Sequence, residues 1–183
     1  MKRNLPIACF LLVLSTFPIS HSSMAQSITL EEIRGLIIKD WHRARVYTTD
    51  YLAAMPADKY GFKPVDSIRT FAQQMLHLAL ANFFLMSNAT DKESPAYAKV
   101  DLEHSQGAQS KDSVTYYVTQ SYDFCINAIK ELPLNKWGEK KQLFSFVDQR
   151  LGFMMKVYEH QEHHRSQTII YMRLVGISIP PQR

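Results

Sequence analysis

Three of the seven histidines fall in one short stretch, Glu159-His160-Gln161-Glu162-His163-His164. In a helix, His160 and His164 are one turn apart and about 40° apart around the axis, so both imidazoles project from one face and can grip a single ion. His163 is turned about 100° from His164 and does not easily join that pair. Two imidazoles leave a divalent ion under-coordinated, which requires a third ligand from another segment. His77 is the best candidate, because it stands inside Gln74-Met75-Leu76-His77-Leu78-Ala79, where a polar side chain among apolar neighbours needs a partner. Three histidines leave a fourth position for water or substrate, as in reactive zinc sites. Water on such an ion has its pKa lowered to around 7 and becomes a nucleophile at neutral pH.

Plainer readings of the same residues stay open at this level. A helical histidine pair also suits a solvated surface, and a lone mid-helix histidine also suits a core position bonded to a carbonyl or a tyrosine. Two familiar metal signatures are excluded. Position 161 is Gln where a zincin needs Glu directly after its first His, and no Glu-x-x-His pair recurs on two helices as a di-iron bundle requires. Glu159 and Glu162 read as solvated, and Asp50 or Tyr51 reaches the histidines only if the fold brings it there.

The elements that must position these histidines are helices. Ser27 and Thr29 precede Glu31 and Glu32, and apolar residues then recur at helical spacing, predicting a first helix from about Leu30 to Ala54. Met55-Pro56 ends it. Asp66 or Ser67 is the expected cap of a second helix, in which Ile68, Phe71, Met75, Leu78, Asn82 and Leu85 share a face to about Ser87. A polar connection over 88–109, with a short helix near Tyr97 to Leu102, leads to a third helix from Ser110 to about Leu132. The fourth runs from about Phe146 to Val175, closed by Gly176 and followed by Pro180-Pro181. No alternating strand pattern stands out, so the expected fold is an all-α four-helix bundle of up-down or crossover topology.

The amino terminus carries its own signal. Lys2 and Arg3, the apolar stretch Leu5 to Ile19, and Ser23-Met24-Ala25 read as a bacterial export signal over residues 1–25, leaving one domain over 26–183 in the periplasm or outside the cell. The apolar run, broken by Pro6, Ser15 and Pro18, is too short for a bilayer span, so no stable membrane insertion is expected after cleavage. Removing the leader takes away two basic and no acidic residues, leaving 19 against 17 and a formal charge of +2. With no run of five like charges, the footprint of a nucleic-acid binder is missing. The mature chain keeps one cysteine, Cys125, expected to be a buried inert thiol.

Taken together these motifs resemble the DinB-like superfamily of bacterial metal-binding four-helix bundles, which is unrelated to the translesion polymerase despite its name. The resemblance rests on Gln74 to Ala79, on His160 and His163-His164-Arg165-Ser166-Gln167, which looks like the signature His-x-x-x-His-Arg-Gly-Gln, on Met55 to Pro64, and on Arg173 to Pro181. Ser166 departs from the usual Gly but keeps a small residue. The resemblance implies that His77, His160 and His164 bind one divalent metal ion, zinc or nickel, with Arg165 and Gln167 as supporting groups. It further implies a metal-dependent hydrolase or thiol transferase acting on an unknown small molecule; the alternative is a non-catalytic exported metal- or ligand-binding module. The superfamily includes bacillithiol transferases and mycothiol-dependent enzymes. Their thiols are cytoplasmic, and export weakens that branch. Phe83, Phe84 and Phe144 offer an apolar surface for a homodimer, or belong to the core.

Overall fold

Capping chemistry sets the helix boundaries. The computed structural model describes residues 27–181, so the leader assigned to residues 1–25 lies outside the described residues. Helix α1 (Leu30–Ala54) starts at Thr29, whose hydroxyl accepts from the Glu32 amide while the Glu32 carboxylate accepts from the Thr29 amide. A cap of this kind stabilises a helix by about 1 kcal/mol.

Helix α2 (Phe71–Thr90) begins later than expected, at the box formed by Thr70 and Gln73. Asp66 and Ser67 have Arg69 and Thr70 three residues on, so neither can close such a box. The helix also runs past Ser87, ending where Asp91 turns to a left-handed φ of 63°. The expected short helix after it is a single 3-10 turn, Ala96–Lys99. Helix α3 (Lys111–Glu131) is capped by Ser110 as expected.

Ahead of the last helix the sequence expectation is corrected. Lys140–Leu143 (β1) and Phe146–Gln149 (β2) pair antiparallel, with Leu143 opposite Phe146, and helix α4 (Arg150–Leu174) begins only after them. The connecting pair Phe144-Ser145 lacks the Gly or Asn that marks a hairpin turn, which is why the strands look like a helix start in sequence.

Cross-helix pairs give the topology. Arg45 pairs with Asp123 and Lys111 Nζ donates to Ala53 O, so α1 and α3 are antiparallel. Gln74 meets His164 while Ala89 O meets Arg150, so α2 and α4 are antiparallel too. Trp41 packs on Tyr158 and Arg165 donates to Ala44 O, setting α1 and α4 in the same direction. The result is an up-down-down-up bundle in which residues 91–110 cross back along its length. This is the crossover form of the expected all-α four-helix bundle.

The core combines Trp41, Leu52, Phe71, Met75, Leu78, Tyr122 and Met154, all fully buried. Burying each such side chain contributes about 1.5–3 kcal/mol. A polar layer crosses this core: the Tyr122 hydroxyl donates to Gln161 Oε1 at 2.7 Å and lies 2.7 Å from Thr48 Oγ1, and Asn82 donates to Ser121. Phe83 is 1% exposed and belongs to the core, whereas Phe84 and Phe144 lie on the surface. Cys125 is buried, which pushes its thiol well above the usual range, in keeping with an inert role. Among the described residues no helix is long and apolar enough to cross a membrane.

Candidate metal centre

His77 lies in the second turn of α2, and His160 and His164 lie one turn apart in α4; antiparallel packing of the two helices brings them face to face. One nitrogen from each of the three rings lies within 4.8 Å of the other two. The Nε2 atoms of His160 and His164 are 3.2 Å apart, and the His77 ring centre is 4.6 Å from that of His164 and 5.7 Å from that of His160. Zn–N bonds of 2.0–2.1 Å in tetrahedral geometry put ligand nitrogens about 3.3 Å apart. The His160 and His164 pair already has that spacing, and the His77 nitrogen lies within 4.8 Å of both.

Electrostatics favour neutral rings. Burial, reinforced by the neighbouring imidazoles, lowers the His164 pKa from 6.5 to about 3 and lowers that of His160 in the same sense. Both rings therefore keep a lone pair at neutral pH, which is the form that ligates a metal.

The groups behind the rings matter as much. His77 Nδ1 lies 3.0 Å from Glu103 Oε2, and the other oxygen of Glu103 accepts from Arg69 Nε at 2.6 Å. Arg69 Nη2 also lies 3.2 Å from Nδ1; an ionised carboxylate only accepts and a guanidinium only donates, so Nδ1 either gives its proton to Glu103, leaving Nε2 its lone pair, or accepts from Arg69. This carboxylate-to-histidine contact is the one that orients ligands in metal sites. Glu103 reaches the site because the crossover segment returns along the bundle.

His164 Nδ1 is 2.8 Å from Gln74 Nε2, Gln74 contacts Gln167 in turn, and Gln167 Nε2 lies 3.0 Å from His163 Nε2. This relay has two self-consistent proton orders. With Gln74 donating to Nδ1, the His164 proton sits on Nε2. With both amides turned over, Nδ1 donates to the Gln74 carbonyl and Nε2 is free for a cation. His160 Nδ1 is buried with no hydrogen-bond partner among the described residues. Leaving such a group unsatisfied costs about 1–3 kcal/mol, a burden expected where an arrangement serves function rather than stability.

All three histidines nominated from sequence thus come together, and His163 stays outside, bonded to Gln167. Arg165 is buried: it donates to Ala44 O and pairs with Glu162, with its guanidinium 5.7 Å from the Tyr47 ring centre. It holds α4 against α1. Gln167 does stand behind the triad. Among the described residues, Asp50, Tyr51, Glu159 and Glu162 make no hydrogen bond to a triad ring, and Tyr51 is part of the core. The carboxylate that does so, Glu103, was missed in the sequence, since it sits in an irregular segment with no periodicity to mark it. Thr70 and Gln73 form the capping box that starts α2 and so sets the register of His77, and their spacing is legible in the sequence.

A family model described as the DinB superfamily matches residues 40–168, a span that includes all three histidines. The chain belongs to the DinB superfamily. Two solved DinB structures share its fold. A DinB-like protein from Bacillus cereus ATCC 10987 superimposes with a TM-score of 0.67 at 18% identity, covering 79% of this chain and 94% of its own. A DinB-like protein of Bacillus subtilis, YjoA, gives 0.62 at 15% identity, covering 81% and 97%. None of the curated proteins matches the chain. The DinB superfamily is generally metal-binding, and the triad described above could hold an ion.

Proposed function

We propose that this protein holds one divalent cation, zinc or nickel, on His77, His160 and His164 and uses it in a metal-dependent reaction on a small molecule. The observation that carries the reading is the convergence of three imidazoles whose Nδ1 edges, for His77 and His164, are already held by Glu103 and Gln74. A bound ion of this kind polarises a carbonyl or acidifies a water. The chain's own residues orient the ligands: Glu103 and Arg69 hold the Nδ1 edge of His77, Arg69 steadies Glu103, and the Gln74 and Gln167 relay holds the Nδ1 edge of His164.

Of hydrolase and thiol transferase, we favour hydrolysis. The amino-terminal pattern assigns the mature chain to the periplasm or the exterior, away from the thiols of the cytoplasm. A non-catalytic metal-binding module is the second reading, and one observation favours it: Glu103 is engaged by both His77 and Arg69 and so is not free to act as a base.

Metal content of the purified protein tests the site. We expect close to one equivalent of zinc or nickel in the natural protein and a large loss in His77→Ala and His160→Ala; unchanged stoichiometry in those variants sinks the reading. Esters, amides and thiol-plus-electrophile pairs then separate enzyme from binder. Turnover that disappears with the metal supports catalysis, and a loaded but inert protein supports the module.

A further inference from the structure

A second cavity, of about 260 Å³, lies on the seam between α2 and α4 under the hairpin. Its walls are Leu85, Phe144, Phe146, Phe153 and Val157, and only the stem of Lys156 interrupts the apolar lining. Phe144 and Phe146 are 71% and 64% exposed, and the Phe144 ring lies 6.0 Å from that of Phe84. Phe144 also holds a φ of +54°, a left-handed backbone that bulky residues rarely adopt. Solvent-exposed aromatic surface and backbone strain in one two-residue turn both work against stability. Where such features coincide, a binding role is the natural explanation.

The spacing ties this cavity to the histidines. On α4, the cavity residues Phe153 and Val157 precede His160 and His164 by seven residues each, and on α2 the cavity wall Leu85 follows His77 by eight. Seven residues are two turns, about 10 Å, and return to nearly the same angle around the helix. Cavity and triad therefore share one face of α4, and the two lie along the same α2–α4 seam. Between them on α2 stands Ala81, which is half-buried and carries only a methyl group.

The polar groups lie at the other end. Glu103, Gln74 and Gln167, which hold the triad from behind, line a larger cavity of about 690 Å³ together with Arg69. The Nδ1 edges of His77 and His164 face these groups, while the Nε2 edge of His164 faces His160 at 3.2 Å.

We propose that the apolar cavity is the subsite for the hydrocarbon part of the substrate, an acyl, alkyl or aromatic group placed about two helical turns from the bond that reacts at the triad. The substrate class is thus an amphipathic small molecule that enters along the α2–α4 seam, with the hairpin as the lid over its apolar end. The inference rests on the metal reading above. Its occupant is argued from the α4 face and the seam that the cavity shares with the triad, which a surface for a second copy of the chain would not require.

A series of straight-chain hydroxamates, from acetohydroxamate to decanohydroxamate, tests it by calorimetric titration of the zinc-loaded protein. The head group reports the metal and the tail reports the subsite. Affinity is expected to rise by about fourfold per methylene over the lengths that enter the cavity, then to level off. Phe146→Ser, at an exposed position, should flatten that rise while leaving acetohydroxamate binding unchanged. Leu85→Trp fills the cavity yet keeps it apolar, and should shorten the chain length at which affinity levels off. A flat series on protein that binds acetohydroxamate overturns the subsite and leaves the metal reading intact. Absence of both zinc and acetohydroxamate binding overturns the two together. A rise that persists in Phe146→Ser, or a dimer that Phe146→Ser dissociates in sedimentation, also overturns it, the latter in favour of a second copy.

Discussion

The two ends of the α2–α4 seam treat polar groups in opposite ways. At the hairpin end, the Arg150 side chain is 7% exposed and every branch of its guanidinium has a partner: Nη1 donates to Ala89 O, Nη2 to Asp91 and Nε to Glu139, at 2.7–3.0 Å. It joins the last turn of α2 to the first turn of α4 and leaves nothing open. At the histidine end, neutral rings crowd together with nitrogens aimed at one another and one Nδ1 unsatisfied. One end is closed upon itself and holds the helices; the other is supported from behind and left open in front. A polar cluster is thus read by what its atoms still lack.

The contrast is broken most sharply by comparing Arg150→Met with His160→Ala under chelator. Removing Arg150 takes the guanidinium from the Glu139 carboxylate and the Ala89 carbonyl and leaves Asp91 with Lys141 alone. Discounted because both carboxylates are about half exposed, the loss should be about 2–3 kcal/mol in urea unfolding. His160→Ala removes a ring that carries an unsatisfied nitrogen, so metal-free stability should change by less than about 1 kcal/mol. Equal losses would mean that the histidine end is a structural cluster.

Support from behind is probed by Glu103→Gln. The amide keeps the shape but presents a weaker acceptor to His77, and metal affinity should fall about tenfold or more in chelator competition. Urea stability of the metal-free protein should stay within about 0.5 kcal/mol. An unchanged affinity would remove Glu103 from the site.

The smallest effect concerns pH. Hydrogen bonds from Lys141 and Arg150 lower the Asp91 pKa below its ordinary 3.8. A carboxylate depressed in the folded state contributes stability above its unfolded pKa and loses that contribution as pH falls through the folded value. Asp91→Asn should therefore cost stability at pH 7 and converge with the natural protein as pH falls through the lowered folded pKa of Asp91. The effect is modest because Asp91 is 58% exposed. A difference that persists undiminished at pH 2 would mean that the carboxylate's charge is not what Arg150 uses.

Much of the fold was legible because local rules act over a few residues. Thr29 and Ser110 mark helix starts by capping, Gly176 marks an end by its positive φ, and apolar spacing separates buried from exposed faces. The same 3.6-residue period put His160 and His164 on one face and set His163 aside. Where two local signals compete, spacing decides: Thr70 has Gln73 three residues on and caps α2, while Asp66 and Ser67 do not. The hairpin was missed because Phe146 and Val147 suit the start of an amphipathic helix as well as a strand.

What the chain encodes in each segment, then, is helix, cap and face, since these follow from sterics and hydrogen bonds between near neighbours. His77 could be nominated but not joined to the pair, because the meeting of α2 and α4 depends on the register of packed side chains across the whole bundle. Glu103 was invisible for a stronger reason: it lies 26 positions from His77 in an irregular segment, and only the crossover path carries it back to the ring. The apolar cavity is likewise a tertiary product, since two helix faces and a hairpin must close before Leu85, Phe146 and Phe153 share one space.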